Sequence, residues 1–193
     1  MSYDGFSVFV SRKQQSKFWL HIDQHPQDKL YSVQGAYNFL PVGEADAGLL
    51  VVPKSHKTYT DAPAKAKQFI LIDPKDEHAS RAIKLIIPEN CFVLWNSKTI
   101  HANTGMGKPK NLEINRLTSY ICYFPKSLRS EEVLQQRLAG YKNGDNCGHY
   151  AIKHNVKQHP FQSKKYYATW NDASSTSNQN LRRMVASQRI ASL

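Results

Sequence analysis

Cysteine is scarce in this chain, with Cys91, Cys122 and Cys147 the three among 193 residues. Three scattered thiols do not make a disulfide framework, and they point to a reducing compartment. Long apolar runs are lacking as well. None approaches the roughly 20 residues that a helix needs to cross a bilayer, so no membrane span is expected. The start, Met1-Ser2-Tyr3-Asp4-Gly5, has neither the basic residues nor the apolar stretch of a secretory signal. The expectation is a cytoplasmic protein. No internal repeat is present. Acidic residues are in short supply, 15 against 26 Lys and Arg, which leaves a net charge of +11. That excess favours an anionic partner such as a phosphate-bearing small molecule, a nucleic acid, a membrane surface or an acidic protein. No long block concentrates the basic residues, which argues for a small-molecule substrate over nucleic acid. An oligomer stays open.

The content that is there belongs to a globular protein. Hydrophobic residues make up 40% of the chain and aromatics 11%, enough to exclude a disordered chain. The length suits one domain with a real core.

Short strands separated by turns fill the first two thirds. Phe6 to Ser11 and Lys17 to Asp23 read as strands, and Tyr31 to Val42 as a longer one that stops at Pro41 and Gly43. Gly48 to Pro53 is a continuous apolar run, as in a strand buried on both faces. Pro63 to Ile72, with Ala64, Ala66 and Phe69, reads as a short helix. Ile83 to Ile87 is a strand, Pro88-Glu89-Asn90 a turn, and Cys91 to Trp95 a strand leading to His101. Arg116 to Phe124 is a long strand with Leu117, Ser119, Ile121 and Tyr123 on one face. After Pro125, a helix over Val133 to Leu138 opens at Ser130-Glu131-Glu132 and is expected to stop before Gly140. Ser174 to Asn180 is a polar run. Many short strands with turns between them predict an all-β sandwich or barrel.

The pair His21-Ile22-Asp23 carries the most chemistry. Side chains at i and i+2 of a strand point to one face. An imidazole and a carboxylate on that face, joined by His101 from a later strand, make the 2-His-1-carboxylate facial triad. Such a triad holds Fe(II) and leaves positions open. On its own the H-x-D pair is weak, and a strand histidine beside a surface acid is the commoner outcome. Its flanks raise it.

Five stretches together resemble the phytanoyl-CoA dioxygenase family of Fe(II)- and 2-oxoglutarate-dependent oxygenases. They are FWLHIDQHP (18–26), YSVQGAYNFLPV (31–42), AGLLVVPKSHK (47–57), NCFVLWNSKTIHAN (90–103) and RLTSY (116–120), in matching order and spacing. The likeness spans residues 5 to 127. The resemblance implies a mainly β double-stranded β-helix, jelly-roll and cupin-like, with a few short helices. It implies one oxygenase domain over 1–170, lacking the family's usual N-terminal helical segment, followed by a polar tail over 171–193.

The resemblance also implies Fe(II), 2-oxoglutarate as co-substrate and O2, with hydroxylation of a C–H bond and release of succinate and CO2. His21, Asp23 and His101 would be the metal ligands. Arg116 would pair with the distal carboxylate of 2-oxoglutarate, since a planar guanidinium binds a carboxylate through two parallel hydrogen bonds. Thr118, two residues on along the same face, would donate its hydroxyl there. Gln34 and Asn38 would be weaker co-substrate contacts or groups behind the ligands. Trp19, His25, Trp95 and Thr99 would shape the substrate pocket. A non-catalytic binding module on the same fold, or an oxygenase acting on nucleic acid, is the alternative.

Other features carry less. His56 reads as a loop-ordering residue. Cys147, His149, His154 and His159 match no strong zinc spacing. Lys164-Lys165-Tyr166-Tyr167 mixes basic and aromatic residues as nucleic-acid surfaces do, but a solvated edge explains it as well.

Overall fold

The computed structural model describes residues 1–2, 6–10, 19–60, 62–63, 69–104, 114–142 and 150–153. The chain divides between Val156 and Lys157, and every described residue belongs to the first unit. The expected C-terminal tail, the His/Cys group from 147 to 159 and the Lys164–Tyr167 stretch lie outside the described residues.

The described part is mainly β. Its strands are β1 (Phe6–Val10), β2 (His21–Ile22), β3 (Val33–Asn38), β4 (Gly48–Val51), β5 (Ile70–Leu71), β6 (Ile83–Lys84), β7 (Cys91–Asn96), β8 (His101–Thr104) and β9 (Ile114–Tyr123). Two helices join them, the short α1 (Ser55–Thr58) and α2 (Glu131–Lys142). The strands form two sheets, β1-β9-β3-β7 and β5-β2-β8-β4-β6, and their pairings are antiparallel. This is the jelly-roll, cupin-like arrangement of a double-stranded β-helix. Side chains cross between the sheets, as where Arg116 of β9 reaches Asn103 of β8.

Alternation along each strand decides what faces the interior. On β3, Gln34, Ala36 and Asn38 are buried while Val33 and Tyr37 are half-buried. Glycine at position 35 lets the neighbouring strand close in. A Cβ there would lie 2.5 Å from Leu94 Cδ2 and 3.1 Å from the Val93 carbonyl oxygen. On β2 and β8, His21 and His101 face the other sheet, whereas Ile22, Ile100 and Ala102 face away. Those three join Leu20, Val52, Tyr59, Ile70 and Ile72 in the main apolar cluster. The five-stranded sheet therefore turns His21 and His101, with Leu49 and Val51 beside them, toward the other sheet and carries an apolar layer on its far side, roofed by the segment that includes α1.

Two sequence expectations change. Within the predicted helix over Pro63 to Ile72, residues 64–68 lie outside the described residues, but Ile70 and Leu71 form a strand paired with β2. Ile70 and Ile72 bury in the apolar cluster as a strand's one face does, so a non-local pairing overrides the local alanine content. The helix expected to stop before Gly140 runs on to Lys142. Glycine inside a helix costs only about 1 kcal/mol, and Gly140 is buried. One turn earlier, Arg137 anchors the helix by donating to the backbone oxygens of Met1 (2.6 Å) and Lys153 (3.2 Å).

Candidate metal centre

β2 and β8 are adjacent, and their register sets His21 opposite His101. Paired residues of an antiparallel ladder share a face, and the two rings lie 4.5 Å apart between centroids. Asp23 leaves the end of β2 on the same side. The three residues are buried, and each offers one ligand atom, all within 4.8 Å of one another. His101 Nε2 lies 3.3 Å from Asp23 Oδ2, and His21 Nε2 lies 3.8 Å from Oδ1.

The backbone fixes which nitrogen of each ring faces the group. His21 Nδ1 is 2.9 Å from the carbonyl oxygen of Trp19, and His101 Nδ1 is 2.8 Å from that of Thr99. A carbonyl only accepts, so Nδ1 carries a proton, and a neutral ring held this way turns the lone pair of Nε2 inward. Two nitrogen lone pairs and a carboxylate thus converge among largely buried side chains. Such a donor set fits a divalent first-row metal, and the Nδ1–H to carbonyl bonds are the usual support behind ligating histidines.

The carboxylate is braced in turn. Gln34 Nε2 donates to Asp23 Oδ2 at 2.6 Å, and Trp95 Nε1 donates to Gln34 Oε1 at 2.9 Å. The Trp95 ring also lies 5.3 Å from the His101 ring. Trp19 stacks on His21 at 4.8 Å. Tyr150 donates its hydroxyl to the backbone oxygen of Asp23 at 3.0 Å. Burial, with the negative charges of Asp23 and Asp28 nearby, pushes the Tyr150 phenol up to about 12.

One step along the same face of β8, a second polar group is built around Arg116, whose side chain is fully buried. Its Nε donates to the Thr118 hydroxyl (3.0 Å) and its Nη1 to Asn103 Oδ1 (2.8 Å). The Thr118 hydroxyl donates to Asn38 Oδ1 at 3.1 Å, and the Tyr120 hydroxyl donates to Asn103 Oδ1 at 3.0 Å. Desolvation lowers the proton affinity of Arg116, opposed by Tyr120. A guanidinium removed from water is stabilised by an anion placed against it.

The sequence-expected residues therefore fall into two adjoining groups. His21, Asp23, His101, Gln34, Trp95, Trp19 and Thr99 meet in one, and Arg116, Thr118 and Asn38 in the other. His25 stands apart. Its Nδ1 accepts from the Gln27 backbone N–H at 3.2 Å, and its Nε2 is buried with no hydrogen-bond partner among the described residues. Sequence reasoning missed Asn103, although its position two residues past His101 was a usable signal. It also missed Tyr150, for which a separation of 127 residues from Asp23 leaves no local pattern.

No protein-family model matches the chain. A curated relative, the Ava biosynthesis cluster protein O of Aspergillus versicolor, is 27% identical over 157 residues, covering 70% of this chain and 50% of the relative. The chain thus spans about half the length of the curated relative it matches. Among solved structures, the epimerase SnoN in complex with Fe3+, alpha ketoglutarate and nogalamycin RO aligns at a TM-score of 0.40 with 9% identity, over 81% of this chain and 63% of that one. A likeness of that extent carries no weight for the fold or the chemistry.

Proposed function

We propose that this chain is an Fe(II)- and 2-oxoglutarate-dependent dioxygenase of the phytanoyl-CoA dioxygenase type. It would hydroxylate an unactivated C–H bond of a small, anionic organic substrate, with release of succinate and CO2. The observation that carries the proposal is the buried cluster of His21, Asp23 and His101, with ligand atoms within 4.8 Å and both Nδ1 atoms tied to backbone carbonyls. When bound, iron with 2-oxoglutarate supplies oxidative decarboxylation and the oxidising power that a C–H bond requires.

The protein's own part is orientation and exclusion of water. His21, Asp23 and His101 would hold the metal by one face. Gln34, itself held by Trp95, keeps Asp23 Oδ2 turned into the site. Arg116 would receive the distal carboxylate of 2-oxoglutarate, and Thr118 and Asn38 keep the guanidinium in place from behind. The name of the curated relative places that protein in a biosynthesis cluster, which agrees with a small-molecule substrate here. So does the basic charge, if the substrate is an anion.

The test is succinate formation from 2-oxoglutarate after anaerobic loading with Fe(II) and exposure to O2. Turnover that vanishes in His101→Ala is expected. Absence of turnover, together with absence of the charge-transfer absorbance of Fe(II) with 2-oxoglutarate, would put a non-catalytic module in its place.

A further inference from the structure

The segment 69–72 presents apolar side chains on both of its faces, and only one face is covered. Ile70 and Ile72 point into the apolar cluster. Leu71 is paired with His21, so its side chain stands on the face that carries the metal-ligand candidates. Phe69 reaches the same place, with its ring 4.6 Å from the His21 ring. The His21 ring thus lies against those of both Trp19 and Phe69. Yet Phe69 is 49% exposed and Leu71 59% exposed.

Neither residue is where stability alone would place it. An exposed leucine contributes little to the core. Phe69 has φ 57°, in the left-handed region, which a bulky residue adopts only at a cost in free energy. Strain of this kind is held where the surrounding structure and a function require it. β5 is also the end strand of its sheet among the described residues. The result is a half-open apolar ledge beside a buried polar cluster.

We propose that Phe69 and Leu71 form a substrate shelf. A hydrocarbon or aromatic part of the substrate lies on them, and the shelf sets which of its C–H bonds approaches the site of His21, Asp23 and His101. This rests on the metal reading for its catalytic meaning, but the shelf binds apolar matter whether or not that reading holds. It also combines with the basic charge to define the substrate class as an anion with an apolar body.

The probe is 8-anilinonaphthalene-1-sulfonate, which has an aromatic body and one negative charge, titrated by fluorescence into the full-length protein loaded with Zn(II). Phe69→Asn keeps a residue that tolerates the left-handed backbone, and Leu71→Ser removes the second wall. Each is expected to weaken probe binding by about tenfold while Zn(II) affinity is unchanged. Phe92→Ser, on the outer face of the other sheet, is expected to leave probe binding as it was. Wild-type probe affinity in both shelf variants, or an equal loss in Phe92→Ser, overturns the shelf. Probe binding that depends on Phe69 and Leu71 in a protein without Zn(II) affinity keeps the shelf and removes the metal reading instead.

Discussion

At the scale of single residues, the site is decided by which atom each side chain turns inward. The carbonyls of Trp19 and Thr99 choose the tautomer of His21 and His101, and Gln34 chooses the orientation of Asp23. Gln34→Leu is expected to lower Zn(II) or Co(II) affinity by roughly 10- to 100-fold, the usual cost of losing a group that orients a ligand. Competition with a chromophoric chelator measures it, and unchanged affinity would show that Asp23 needs no such brace. Arg116 donates to the neutral oxygens of Thr118 and Asn103. Removing the buried guanidinium takes a hydrogen-bond donor from both oxygens, at a cost in stability. Arg116→Met is therefore expected to melt below wild type, to bind metal normally and to lose the absorbance that 2-oxoglutarate adds to the Fe(II) protein. A fall in melting temperature with co-substrate binding intact would make Arg116 a structural residue.

At the scale of elements, two contacts set how strands and loops seat against one another. β3 lies between β9 and β7, and Leu94 of β7 occupies the space over Gly35. Gly35→Ala is expected to cost about 1–3 kcal/mol through overpacking. Because residues in contact are not additive, Leu94→Ala should offset part of that loss. Urea denaturation of the single and double variants reads the coupling, and strict additivity would locate the strain elsewhere.

The turn 73–82 is locked onto α1 by His78. Its Nδ1 and its backbone N–H each lie 2.8 Å from Asp76 Oδ1, and its Nε2 lies 3.0 Å from the Thr58 hydroxyl. Burial works to raise the Asp76 pKa, but the backbone and side-chain hydrogen bonds and the charge of His78 bring it below 3.8. The folded state then binds fewer protons here than the unfolded one. The contribution to stability is present above the unfolded value and is lost as pH falls through the folded pKa. Asp76→Asn is expected to flatten this part of the acid limb below about pH 4 in a melting-temperature profile against pH. An acid limb identical to wild type would mean that the lock adds nothing. The lock shows what the sequence hid, since Asp76 and His78 are close in the chain but Thr58 meets them only after the turn folds back. The strands themselves were legible because β-branched and aromatic residues recur in Val33–Asn38 and Arg116–Tyr123 between turn residues. The strand at Ile70–Leu71 was not, because its pairing with β2 is decided by residues 48 and 50 positions away.

At the scale of the whole molecule, the two sheets have unlike outer faces. The five-stranded sheet is roofed by an apolar layer. The four-stranded sheet ends at β7, where Phe92 and Leu94 are exposed. Cys91–Asn96 carries no charge and no proline, the pattern that invites pairing at a sheet edge. Leu94→Lys is expected to lower concentration-dependent aggregation in light scattering while metal affinity holds. Aggregation equal to wild type would clear β7 of that role. Among the described residues no helix is long and apolar enough to cross a membrane.

The sequence by itself determined the local periodicities and the chemistry of the candidates. A period of two placed His21 with Asp23 and Arg116 with Thr118, because side-chain direction in a strand depends only on parity. Only the tertiary structure decided that His21 faces His101, that Gln34 and Trp95 brace Asp23, that Tyr150 arrives from the far end of the described chain, and that Phe69 and Leu71 stand uncovered beside the site. Those facts depend on register and on closure of one sheet over another. They are set by pairing between distant segments and by burial of the apolar layer, which no local stretch of residues encodes.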